Sequence, residues 1–145
     1  MQLTKYTDFG LRVMMYLTQS SGRDTPATIP EIAERFDVSR NHLVKVAHFL
    51  AQQGWVTTAR GKGGGLRLAR TPAEYRLGDL VYALENQKAL VNCGEPVCAL
   101  QGFCLLSGVL AESLKSFYDE LNRHTLADLV RSPTGEVIVR LQLVA

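Results

Sequence analysis

Apolar residues recur at every third or fourth position through the first third of the chain, and this spacing predicts three amphipathic helices. Their predicted ranges are about 7–18, 29–36 and 39–53. Thr7 or Asp8 is expected to cap the first helix. A capping box begins at Thr28, and Ser39 is placed to cap the third helix. Two short helices around a tight turn form a helix-turn-helix. The face of the third helix that we predict to be buried comprises Leu43, Val46, Ala47 and Leu50.

The pattern after the third helix changes to short extended runs, which predict two strands over about residues 55–60 and 66–68. Their connection places four glycines around Lys62, and glycine allows a phosphate to approach the backbone closely. A helix-turn-helix followed by such a hairpin is a winged helix. Trp55, the only tryptophan, is interpreted as a core residue between helix and wing rather than a functional one.

The second half of the chain predicts a short helix over residues 77–85 and a longer one from about 105 to 124. The longer helix has a wide apolar face, and we expect two-fold self-association to cover it, with packing inside the chain as the alternative. Residues 135–144 alternate loosely and are predicted to be extended. The expected fold is mainly α with a small β-hairpin wing.

The formal net charge of +2 is divided unevenly along the chain. Residues 1–75 hold ten lysines and arginines against six acidic residues, whereas residues 76–145 hold six against eight. No acidic residue lies between Asp37 and Glu74, a window with six basic residues. Such a stretch of one sign is typical of a polyanion-binding surface, and the alternative is a solvated basic face.

The composition, 46% hydrophobic and 21% charged, is that of an ordinary globular protein. No apolar run reaches the length of a membrane span, and the first residues lack the apolar core of a signal peptide. A cytoplasmic location is therefore expected, where thiols stay reduced. No catalytic site is predicted, because Ser107 and Ser113 have no evident base partner.

The three cysteines of the chain, Cys93, Cys98 and Cys104, follow a C-x4-C-x5-C spacing in one loop. Three thiolates on one loop suit a soft metal centre, and they cannot all pair as disulfides. The residues alone leave several uses open: an iron–sulfur cluster in a regulator, a zinc site, a thiol switch, or an electron carrier.

Four segments together resemble a family of bacterial winged-helix transcription regulators that carry iron–sulfur clusters, the family of IscR and NsrR. They are residues 3–8, the third helix over 38–45, the wing over 60–65, and the three cysteines. Within that family the chain is most similar to the NsrR-type nitric oxide-sensing repressors. The residues that favour this type are 41–45, 91–93 and 126–130.

The resemblance implies a homodimer that binds a pseudo-palindromic operator in double-stranded DNA and releases it on nitrosylation. A sensor of cluster supply or redox state is the alternative within the family. The implied parts are a winged helix-turn-helix DNA-binding domain over 1–76, a connecting helix with the iron–sulfur cysteine loop over 77–104, and a dimerisation helix with a tail over 105–145.

The resemblance also implies the cofactor and its ligands. Cys93, Cys98 and Cys104 would hold an iron–sulfur cluster, with [4Fe–4S] favoured over [2Fe–2S]. Ser107 stands where IscR-like members have a histidine ligand. The resemblance to NsrR-type members implies that Asp8, donated by the other subunit, is the candidate fourth ligand. From the sequence alone Asp8 is a favourable charge in the first turn of a helix.

Contacts with DNA follow from the same motifs. Ser39 and the wing around Lys62 are expected to hold phosphates. Arg60 is expected to reach the minor groove. The side chains expected to meet base edges are Arg40, Asn41, His42, Val44 and Lys45. The backbone of Gly63 and Gly64 completes the predicted contact set.

Overall fold

The computed structural model describes residues 2–144 and consists mainly of helices, with one two-stranded antiparallel sheet. The described elements are α1 (Lys5–Gln19), α2 (Ile29–Phe36), α3 (Arg40–Gln52), β1 (Val56–Ala59), β2 (Gly65–Leu68), a 3₁₀ turn (Pro72–Glu74), α4 (Leu77–Glu85), α5 (Leu105–Leu121), α6 (Leu126–Leu129) and α7 (Thr134–Leu143). This order confirms the predicted fold class, a winged helix-turn-helix followed by a long helix.

Helix α1 begins earlier than predicted, because Thr4 rather than Thr7 or Asp8 caps it. The Thr4 hydroxyl accepts a hydrogen bond from the amide of Thr7 at 3.2 Å. Glu85, at the end of α4, accepts hydrogen bonds from the Thr4 amide and from both threonine hydroxyls. Burial acts to raise the pKa of the Glu85 carboxyl, but these hydrogen bonds outweigh it and the pKa is lowered. A contact far along the chain therefore sets the first turn of α1.

The hydrophobic core is built around α1, whose Met14, Tyr16 and Leu17 are almost fully buried. The predicted inward stripe of α3 is confirmed: Leu43, Val46, Ala47 and Leu50 are all buried against it. Burying a side chain of this size contributes about 1.5–3 kcal/mol. Because α4, α6 and α7 also supply core residues, the C-terminal part packs onto the winged helix.

A polar network fixes α2 against α1. The Tyr16 hydroxyl donates to Glu31 at 2.7 Å, and the Arg23 guanidinium donates to the same carboxylate oxygen at 2.5 Å. Glu31 also closes the predicted capping box with Thr28. Burial, and then the hydrogen bond to Glu31, raise the pKa of Tyr16 to about 12, so that its phenol keeps its proton. Burial acts to raise the pKa of Glu31, but the hydrogen bonds from Arg23, Tyr16 and Thr28 lower it overall.

The wing is attached to the loop that precedes α2. Ala27 and Leu66 exchange two backbone hydrogen bonds, of 3.2 and 2.7 Å. The Arg67 guanidinium donates to the carbonyl oxygens of Arg23 and Asp24. Trp55 packs against the core as predicted, with its ring edge-on to that of Phe49 at 6.2 Å. The hairpin and the helix-turn-helix are therefore one packed unit.

Helix α5 is fastened to the core only through its C-terminal half. The Asn122 side chain, just beyond α5, accepts from the Asp79 amide at 3.0 Å and donates to the Asp79 carboxylate at 2.9 Å. Leu114 is the one α5 residue that is fully buried. The first turns of α5 project from the core.

The tail is helical, and the prediction that residues 135–144 are extended is wrong. Gly135 is buried so tightly that a Cβ atom there would lie 2.0 Å from the carbonyl oxygen of Val130. Ile138 enters the core, and the Gln142 side chain donates to the Tyr16 carbonyl oxygen at 3.1 Å. These contacts with α1 stabilise the helical conformation. The alternating valines and leucines of the sequence give no sign of such contacts.

Candidate nucleic-acid interface and metal centre

One face of α3 is presented to solvent while the other is buried. The exposed side chains include each α3 residue expected to meet base edges: Arg40, Asn41, His42, Val44 and Lys45. Val44 is 52% exposed, so its methyl groups are available for an apolar contact. The face thus offers hydrogen-bond donors, charge and one apolar contact, the chemistry that distinguishes base pairs in a major groove.

Ser39 is the N-cap residue of α3, as predicted. Its backbone is extended there, but its hydroxyl makes no capping hydrogen bond. The residue is exposed. The hydroxyl and the free amides of the first helical turn therefore face the same region, which is the arrangement that suits a phosphate.

The basic window divides into two groups. Arg67 is bound to backbone carbonyls, and the Arg70 guanidinium lies 5.0 Å from the centre of the Tyr75 ring. In contrast, the exposed basic residues of α3 and the wing are Arg40, Lys45, Arg60 and Lys62, and none of them is in an ion pair within residues 2–144. The second group is the part of the window that is available to a polyanion.

The wing tip holds Lys62 among exposed glycines. Gly64 approaches the Ala59 carbonyl oxygen so closely that a Cβ atom would lie 2.3 Å from it. Glycine is therefore required at this position to close the turn. Lys62, Gly63 and Arg60 remain exposed around it.

Aromatic side chains of α1 support the recognition helix α3. The Tyr6 ring meets the Phe49 ring edge-on at 5.9 Å, and the Phe9 ring lies 6.1 Å from His42. Tyr6 and Phe9 both belong to the apolar stripe of α1, and helical spacing alone does not show that they contact α3.

Asp8 lies on α1 between these two aromatic residues and is held by Arg12. The Arg12 Nε donates to Asp8 Oδ1 at 2.9 Å, and an Arg12 terminal nitrogen lies 2.8 Å from Oδ2. Both side chains are close to half exposed. The Arg12 guanidinium also lies 5.9 Å from the centre of the Phe36 ring, at the end of α2. Arg12 was missed by the sequence analysis, although its i+4 spacing from Asp8 is a recognised signal for a helical ion pair.

The cysteine loop occupies the segment between α4 and α5. All three thiols are free and half-buried, and Cys104 is the N-cap residue of α5. Three thiols of one loop, none of them in the core, are a donor set that suits an iron–sulfur cluster. Within residues 2–144, however, no three His, Cys, Asp or Glu side chains form a group that could hold a metal ion. The donors are thus chemically suitable and are not arranged as a preformed site.

Large apolar side chains are exposed along this loop and the start of α5. They are Val97, Leu100, Phe103, Leu105, Leu106 and Val109, and Phe103 is 93% exposed. Large apolar side chains exposed together in one segment are typical of an interaction site. Among the described helices, none has the length and apolar character needed to cross a membrane.

Comparison with known proteins gives a consistent result. A family model, described as Rrf2, iron-dependent transcriptional regulator, matches residues 3–132. T. potens IscR is 28% identical to this chain over 90% of it and 86% of IscR, with a TM-score of 0.72. A transcriptional regulator from Listeria innocua is 26% identical, with coverage of 92% and 89% and a TM-score of 0.74. CymR, the global cysteine regulator of B. subtilis, shares the fold at 23% identity, covering 89% of this chain and 95% of CymR with a TM-score of 0.72.

Proposed function

The chain belongs to the Rrf2 family of DNA-binding transcriptional regulators, and we propose that within it this protein is a homodimeric repressor that senses nitric oxide through an iron–sulfur cluster. One observation carries the proposal. Three free, half-buried thiols lie in the loop that leads into the projecting, apolar start of α5. A cluster held there would sit beside the surface through which two copies are proposed to associate.

Cys93, Cys98 and Cys104 would hold the cluster, proposed to be [4Fe–4S], and Asp8 of the other subunit would complete its ligands. When bound, the cluster supplies sulfur-coordinated iron with one oxygen-held position that nitric oxide can reach. Asp8 can be offered to a partner because its side chain is close to half exposed on the surface of α1. Its bond to Arg12 is the interaction that ligation would replace.

The backbone of α1 gives a physical link from Asp8 to the DNA-reading face. Asp8 is followed by Phe9, which contacts His42 on α3, and Tyr6 contacts Phe49 on the same helix. A pull on Asp8 from the partner subunit would therefore move α1 and α3 together and change where α3 lies relative to the partner's recognition helix. A tenfold change in operator affinity corresponds to only about 1.4 kcal/mol, so a small displacement is sufficient.

An anaerobic titration with nitric oxide tests the proposal, with the visible spectrum and operator binding followed together. We expect the coloured wild-type protein to lose operator binding in step with its spectral change. Asp8→Ala should still assemble a cluster, but a more labile one, with an altered response to nitric oxide. Asp24→Ala, an exposed acidic residue outside α1, is the control. Colourless anaerobic protein, or unchanged binding after full nitrosylation, would refute the proposed sensing.

Arg40→Ala is expected to weaken operator binding by about 1–3 kcal/mol and to relax preference at one base pair. The reason is that Arg40 is the first residue of α3 and is exposed, and that its guanidinium has no ion-pair partner among residues 2–144. Fluorescence anisotropy with the operator and its single-base variants measures both effects. Gln52→Ala, at the far end of α3, is the control. An Arg40→Ala variant with unchanged base preference would show that Arg40 does not contact a base edge.

Lys62→Ala is expected to weaken binding to every DNA sequence by a similar factor. Because a phosphate contact releases counterions, the slope of log affinity against log salt should fall by about 1. Binding isotherms at four or more salt concentrations provide the slope. Lys88→Ala, an exposed lysine outside the basic window, should leave it unchanged. A Lys62 variant with the wild-type slope would exclude the phosphate contact.

A second candidate keeps the DNA-binding function and replaces the cluster by a zinc ion or by direct thiol chemistry. The observation that favours it is that the three cysteines of one loop are free, half-buried thiols, which are suitable donors for zinc and can also react directly. Iron and acid-labile sulfide analysis of anaerobically purified protein separates the two. Zinc alone, or no metal, would support this second candidate. A cluster that responds to iron supply or redox state rather than to nitric oxide would instead support the alternative within the family.

A further inference from the structure

We propose that the cluster-free protein forms an intramolecular disulfide between Cys93 and Cys98, and that Cys104 stays a free thiol. The inference rests on the proposed function only in that it assigns a second role to two of the thiols proposed to hold the cluster. The cysteine loop would thus be a site of oxidation in which one particular pair of thiols forms the disulfide.

The backbone already holds these two residues opposite each other. The Cys98 amide donates to the Cys93 carbonyl oxygen at 3.0 Å, and Gly94 and Val97 form an antiparallel bridge between them. The Asn92 side chain accepts from the Gly94 amide at 2.9 Å, which fixes the entrance to the turn. Residues that face each other in an antiparallel pair have Cα atoms about 4.5–5.5 Å apart, whichever hydrogen-bond pattern they adopt. Disulfides need a Cα separation of about 4.4–6.8 Å, so this pair meets the requirement.

Cys104 is held differently. Two successive turns separate it from Cys98, with hydrogen bonds from Gln101 to Cys98 and from Phe103 to Leu100. Cys104 then begins α5, whose C-terminal half is anchored to α4. Pairing Cys104 with either other cysteine would require these turns or the start of α5 to rearrange, whereas Cys93 and Cys98 need only a rotation of their side chains.

A hydroperoxide is the oxidant class that suits these half-buried thiols, because it is small enough to reach them. One thiolate of the pair attacks the peroxide oxygen and becomes a sulfenic acid, and the oxygen–oxygen bond breaks. The second thiolate attacks that sulfur, the sulfur–sulfur bond forms, and the sulfenic oxygen leaves as water. With hydrogen peroxide, the two thiols lose two electrons and two protons, and two molecules of water are formed.

The disulfide would remove two of the three proposed cluster ligands at once. Protein oxidised in this way would have to be reduced by a dithiol before it could accept iron and sulfide. The oxidised and reduced cluster-free forms would therefore differ in how fast a cluster can be reassembled, a readout that needs no DNA.

The test uses full-length, cluster-free protein treated with hydrogen peroxide and then with a thiol-alkylating reagent. We expect each chain to lose the mass of two hydrogen atoms, to take one alkyl group at Cys104, and to give a single peptide that links Cys93 to Cys98. Cys104→Ser should form the same link, and Cys93→Ser should form none within the chain. Cluster reassembly should be delayed in the oxidised sample and restored by a dithiol.

Other outcomes overturn the inference. A link that includes Cys104, a disulfide between chains as the main product, or three alkylated thiols after peroxide treatment would each contradict it. If Cys93→Ser fails to fold, the peptide map of the wild-type protein still decides the pairing. The proposed sensing function fails on a separate measurement, the iron content of the anaerobic preparation, so the two failures are distinguishable.

Discussion

Leu106→Glu is expected to convert the protein from a dimer to a folded monomer and to reduce operator affinity by a factor on the order of 10²–10⁴. Leu106 lies on the projecting start of α5 and is 63% exposed within one chain, between Leu105 and Val109, which are also exposed. If two copies cover this surface, a carboxylate would be buried there without a partner. The loss of affinity follows because a monomer contacts only one half-site at a time.

Analytical ultracentrifugation and operator titration measure the two effects, and circular dichroism reports whether the monomer is folded. Lys115→Glu is the matched control, since Lys115 lies on the opposite side of the same helix and its exposed ion pair with Asp119 contributes little. We expect the control to remain dimeric. A Leu106 variant that sediments like the wild-type protein would show that α5 is not the self-association surface.

Glu31→Ala is expected to lower the free energy of unfolding by about 3 kcal/mol. The substitution removes the acceptor of the Tyr16 hydroxyl, the ion pair with Arg23 and half of the capping box at α2. A charge-assisted hydrogen bond contributes about 1.5–3 kcal/mol, and a cap contributes about 1 kcal/mol. Chemical denaturation at neutral pH measures the difference. Glu34→Ala, an exposed residue one turn further along α2, should change stability by well under half as much.

The pH dependence gives a further check on Glu31. Its pKa is lowered from the ordinary value of 4.5 in the folded protein, so its contribution is complete above that value and is lost as pH falls through the folded pKa. The stability difference between wild type and Glu31→Ala should therefore be constant near neutrality and shrink in acid. A difference that grows on acidification would contradict this account of the network.

The elements that repeat a local pattern could be predicted from the sequence. Helix α4 has the predicted range, the capping box at Thr28 is formed, and the buried stripe of α3 is confirmed. The start of α1 and the helical tail could not be predicted, because each depends on a residue far along the chain. Glu85 supports the Thr4 cap in the first, and Tyr16 takes part in the second.

The candidate site divides in the same way. The exposed face of α3 follows from helical spacing once its buried stripe is known. The i+4 spacing of Asp8 and Arg12 could have indicated their ion pair, whereas the uncommitted Ser39 hydroxyl depends on a side-chain conformation that spacing does not specify. The ligand set of the cysteine loop, the division of the chain into three parts and the DNA contacts themselves stay predictions, because a metal, a second subunit and DNA would each contribute to them.

The attachment of the wing to the loop before α2 has a consequence for how control is exerted. Backbone hydrogen bonds between Ala27 and Leu66, together with those of Arg67, fasten the hairpin to the helix-turn-helix in one packed unit. An effector would therefore not change the internal structure of this unit. It would instead change the separation between the two DNA-binding units of a dimer. Operators with half-sites moved by one or two base pairs would then distinguish the two states better than changes within a half-site.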